Sequence, residues 1–131
     1  MMKPVAAILA VLFASSLVLP QKAQAAQLGC SGSYMDYQFS FTSRLSSRLR
    51  PIGSVKILVT GPDRLRFTEN ATPTSSRILP MRSIQMTVSS PKGAGSIDAT
   101  YNASTGRYDG TLIVHYKGGD FSMSASCLLR R

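Results

Sequence analysis

The chain has 131 residues, with 15 Lys and Arg against six Asp and Glu, two Cys and no Trp. This length suits one domain with a modest core and excludes a multidomain assembly. One histidine and one glutamate leave little material for a metal cluster or an acid–base pair, so the composition points away from enzymes.

The chain opens with a positive start at Lys3, an apolar run from Val5 to Leu19, a break at Pro20 and the small-x-small triplet Ala23-Gln24-Ala25. These are the parts of a secretory signal. The apolar run has 15 residues, short of the roughly 20 needed for a spanning helix. The expectation is a cleaved signal over 1–25, a single all-β domain over 26–131, and a secreted or periplasmic product with no membrane span. From Ala26 onward 13 Lys and Arg face six acids, a net charge near +7, and ten of the 13 are Arg.

Cys30 and Cys127 bracket nearly all of this domain. In an oxidising compartment two cysteines allow one pairing, a disulfide joining the first strand to the last. Between them hydrophobicity alternates at period two, and the alternating runs are separated by Gly, Pro, Asn and Ser clusters. Tyr37, Phe39 and Phe41 form the first inward row. Cys30 has the opposite parity, so a change of register near Gly32-Ser33 is needed if it also faces in.

Ser43 to Arg50 breaks the pattern, since Leu45 and Leu49 are four apart, as are Arg44 and Arg48. It reads as a helical turn started by Ser43 and lidding one barrel end, or as a long basic loop. Val55, Ile57 and Val59 face in next, and Gly61-Pro62-Asp63 makes a turn. Leu65 and Phe67 then face in, with Arg64 and Arg66 out. Glu69 to Ser76 is polar, carries Pro73, and reads as a loop.

Ile84, Met86 and Val88 make a further inward row, as do Ile97, Ala99 and Tyr101. Tyr108, Leu112, Val114 and Tyr116 follow, with Gly110 placed for a bend or bulge. Gly118-Gly119 suits a two-residue hairpin. Phe121, Met123, Ala125 and Cys127 close the series. About seven strands at this spacing predict a small antiparallel β-barrel or a β-sandwich, with the barrel favoured because adjacency of first and last strands removes both edges.

His115 alternates outward, and no second ligand or nucleophile lies at a recognisable spacing from it, so the sequence suggests no catalytic residue, metal site or cofactor. The arginines are the remaining constellation: Arg44, Arg48 and Arg50 in one segment, Arg64 and Arg66 in another. Arginine's planar fork favours carboxylate and phosphate partners. The aromatic residues point inward, which argues against specific nucleic-acid binding. The expectation is an exported, monomeric, non-enzymatic binding protein. Its partner would be an anionic envelope component or an acidic protein, an inhibitor of an exported enzyme being one version. The alternative is a barrel carrying a small apolar molecule, with Met81, Met86, Met123, Tyr101 and Tyr116 able to line a pliable pocket or fill a core.

Overall fold

A computed structural model describes residues 25–116 and 119–131. The signal segment falls in the residues outside this range, apart from Ala25. Eight strands follow one another: β1 (Ala26–Tyr34), β2 (Tyr37–Leu45), β3 (Pro51–Thr60), β4 (Arg66–Leu79), β5 (Ser83–Ser90), β6 (Gly93–Asn102), β7 (Arg107–Tyr116) and β8 (Gly119–Arg130). Each pairs antiparallel with the next, and β1 also pairs with β8, so the sheet closes into an up-and-down barrel. Cys30 and Cys127 are directly opposed across that closing seam and form the disulfide, with Cα atoms 3.9 Å apart. Both sulfurs face the interior, where the two residues are buried.

The additional strand comes from the first hairpin. Cys30 and Phe41 lie on different strands, paired with each other, and the chain reverses at Met35-Asp36 between Tyr34 and Tyr37. The change of parity therefore arises at this turn, not at Gly32-Ser33. Met35 takes a positive φ of 54°, a conformation usually given to Gly, Asn or Asp.

The segment from Glu69 to Ser76 is strand, not loop, and belongs to a 14-residue β4. Its first half pairs with β3 as far as Ala71, and its second half pairs with β5 from Thr72 onward. The register shifts between Pro73 and Ser75. Pro73 thus sits beside a bulge, beyond the β3 ladder, where a missing N–H is tolerated. The shift moves the inward positions from odd (Phe67, Glu69, Ala71) to even (Ile78), which hides the strand from a strict period-two pattern.

Gly110 marks no bulge, because β7 stays in register with both neighbours. It faces inward, and a Cβ there would lie 1.9 Å from the Asp98 carbonyl oxygen, so the glycine is what lets β6 and β7 approach. Ser43, Arg44 and Leu45 belong to β2, and the following residues make a tight turn instead of a helix. Ser46 organises that turn by accepting hydrogen bonds on Oγ from the backbone N–H groups of Arg48 and Arg50, both at 3.3 Å. Leu45 and Leu49 are nevertheless both buried, so the turn does cap the barrel. Gly119 opens β8 opposite Tyr116, and Gly118 lies outside the described residues.

The inward rows fill one half of the barrel. Leu28, Phe41, Val55, Ile84, Met86, Ile97 and Leu112 are almost wholly removed from water around the disulfide. Tyr108 also faces in at this end and accepts a hydrogen bond on its hydroxyl from the Met81 N–H at 2.8 Å. The outer face is mostly Ser, Thr and Gln, as in Ser31, Gln38, Ser40, Gln85, Thr87, Ser122 and Ser124. That polarity, outside polar and inside apolar, is the reverse of an outer-membrane barrel. No helix among the described residues is long and apolar enough to cross a membrane.

Candidate functional site

Odd-numbered strands run from the filled end toward the other end, and even-numbered strands return. The second end therefore collects the 35–36, 61–65 and 91–92 turns and the β7–β8 connection. Here the interior is not filled. A cavity of about 380 Å³ enters the barrel, walled by Phe39, Ile57, Val59, Ala71, Val88 and Val114 toward its floor. An eight-stranded barrel has an interior wide enough either to be packed by side chains or to hold one small ligand. This one is packed in one half and open in the other. The reason lies in the side chains available: one wall of the open half is Ala71, Ser90 and Gly93, which do not reach the axis.

Aromatic rings frame the mouth. Tyr34 meets Phe121 edge-on at 5.2 Å between centroids, and Phe67 stacks on Tyr116 at 6.0 Å. Tyr37 and Leu65 complete the rim and are 38% and 40% exposed, while Met35 at the adjoining turn is 83% exposed. Large apolar side chains left this open to water at the lip of an apolar cavity are a common mark of a ligand entrance.

One carboxylate belongs to the wall. Glu69 lies on the inward face of β4 between Phe67 and Ala71, opposite Ile57 of β3, and lines the cavity. Among the described residues nothing hydrogen-bonds or ion-pairs with it. The polar run with Pro73 hides this inward position in the sequence, where the alternation Phe67-Glu69-Ala71 is the one signal of it. His115 touches the rim, but its side chain lies on the outer face, where Nδ1 is 2.6 Å from Asp120 Oδ1 of the neighbouring strand.

The arginines separate by end. Arg44, Arg48 and Arg50 lie at the filled end, and Arg64 and Arg66 lie at the cavity end, so the two groups do not converge. The first group instead gathers with Arg77, Arg82, Arg107, Arg130 and Arg131. On the outer face Arg44 and Arg130 flank Gln27 on adjacent strands. Arg107 is held by a hydrogen bond of 2.7 Å from its Nε to Ser126 Oγ. No described arginine lies within salt-bridge distance of a carboxylate. The barrel is therefore electrically lopsided, with eight arginines toward the filled end against Asp109 there and Asp98 near mid-barrel. Among the described residues of the cavity end, Arg64, Arg66 and Lys92 are in near balance with Asp36, Asp63, Glu69 and Asp120. Neither a known family, nor a curated protein, nor a solved structure matches the chain.

Proposed function

We propose that this protein is an exported, non-enzymatic carrier that shelters a small, largely apolar molecule in the open half of its barrel. The cavity carries this reading: about 380 Å³ of space walled by aliphatic and aromatic side chains, open at an apolar lip. At the roughly 30 Å³ that one water occupies in the liquid, it offers room for about a dozen non-hydrogen atoms. Such a volume lies within the range of small-molecule sites. Export is supported by the signal pattern over 1–25 and by the buried disulfide, which suits an oxidising compartment.

A second activity is favoured by the unneutralised arginines of the filled end. We infer that Arg44, Arg48 and Arg50, with their neighbours, dock this end on an anionic surface such as an acidic envelope component. Eight guanidinium groups on one end focus a field that scattered charges do not. The two readings are compatible, because docking by the filled end leaves the mouth free.

Native mass spectrometry of protein purified gently from its own host tests the carrier reading. The expected result is a fraction of molecules heavier by one small organic mass, released by organic solvent. Uniformly unliganded protein that also fails to take up neutral apolar probes would count against it.

A further inference from the structure

We infer that the ligand is an amphiphilic cation, an organic ammonium whose charged head sits against Glu69, inside the ring of aromatic side chains that frames the mouth. This rests on the carrier reading and specifies the ligand's chemistry.

Three observations converge on the head group. Glu69, the chain's one glutamate, projects into an otherwise apolar space and has no counter-charge or hydrogen-bond partner among the described residues. Glu69 is half-buried, so its carboxylate stands at the cavity wall as an unpaired acceptor that a donor or a cation could meet. A cavity built only for neutral apolar cargo gains nothing from it.

The rings are the second observation. Tyr34, Tyr37, Phe39, Phe67, Tyr116 and Phe121 all line this cavity. Ring faces carry negative potential, and cages of them with a nearby carboxylate bind ammonium groups, quaternary ones included. The interleaved Ile57, Val59, Val88 and Val114 would take the apolar tail.

The third observation is electrical. The residues from Ala26 onward carry a net charge near +7 and should repel a cation, yet the arginines lie mostly at the far end and the described charges around the mouth are close to balance. At physiological salt the screening length is about 8 Å, so the far arginines matter little at the cavity. The approach is open to a cation there and nowhere near the other end.

The test compares a charged ligand with its carbon isostere. Benzyltrimethylammonium and neopentylbenzene have the same shape and differ by a positive nitrogen against a neutral carbon. Both are used to displace a neutral naphthyl fluorophore from wild-type protein, from Glu69→Gln and from Phe67→Leu, with thermal melts confirming that the variants fold. Glu69→Gln should weaken the ammonium by about tenfold or more and leave the neutral isostere within about twofold. Phe67→Leu should weaken the ammonium alone, by several-fold. Added salt should do the same.

An equal effect of Glu69→Gln on both compounds, or none on either, overturns the assignment. So does failure of the ammonium to displace a fluorophore that the neutral compound does displace, and in that case the carrier reading stands. Failure of the fluorophore itself to bind would instead remove the carrier reading on which the assignment rests.

Discussion

Removing the crosslink should cost this barrel much of its stability, and the size of the loss follows from its position. Cys30 and Cys127 are 97 residues apart in sequence and directly opposed on the strands that close the sheet. Chain-entropy reasoning for a loop of about that length gives a ceiling of about 4–5 kcal/mol at 25 °C. A partly compact unfolded chain lowers the figure, so about 3–4 kcal/mol is expected for the reduced protein. Since domains of this size have net stabilities of about 5–15 kcal/mol, the loss is large. It corresponds to a fall in Tm of roughly 12–30 °C. Guanidinium unfolding followed by far-UV circular dichroism, on oxidised and reduced protein and on a Cys30→Ala/Cys127→Ala variant, measures it. The reduced protein and the variant should agree, and hydrogen exchange should show the β1–β8 ladder losing protection first. A loss below about 1 kcal/mol, or fraying that begins elsewhere, would refute the idea that the staple holds the closing seam.

Other outcomes follow from single positions. Gly110→Ala places a methyl against the backbone of Asp98 and Ala99, with contacts of 1.9 and 2.5 Å. Because backbone must move, thermal melts should show a loss at or above the usual 1–3 kcal/mol of overpacking. Ala71→Leu puts new methyl groups into the cavity. It should leave stability unchanged or raise it by up to about 2 kcal/mol, while weakening a neutral fluorophore at least several-fold in titrations. Changing Arg44, Arg48 and Arg50 to Ser should reduce binding to vesicles rich in anionic lipid. The Arg64→Ser/Arg66→Ser pair at the other end should have a smaller effect, and binding by wild type should fall as salt rises. Salt-insensitive binding would remove the electrostatic docking.

Much of the architecture can be read directly from alternation. Val55-Ile57-Val59, Ile84-Met86-Val88 and Ile97-Ala99-Tyr101 each fall on the inner face, as the period-two rows predict. Two strands were obscured for identifiable reasons. The first hairpin turns at Met35-Asp36, a pair without the glycine or asparagine that usually supplies a positive φ. In β4 the shift after Pro73 inverts the inward parity halfway along, and Pro itself argues for a loop. That misreading also concealed Glu69. The cavity is a different kind of omission. Alternation says that Ala71 and Val114 face inward, but whether inward residues meet depends on barrel width, strand tilt and side-chain reach. The same ambiguity leaves open in the sequence whether the two arginine groups share one end of the barrel, since that assignment needs the strand order.

Methyl-resolved NMR can distinguish a packed half of the barrel from a half that takes up a small apolar molecule. Titration of methyl-labelled protein with a neutral naphthyl probe should shift Ile57, Val59, Val88 and Val114, with intermolecular Overhauser contacts from the probe to these methyls. Leu28, Val55, Ile84 and Ile97 in the filled half should stay in place. Unchanged spectra at saturating probe, or shifts centred on the filled half, would contradict the account.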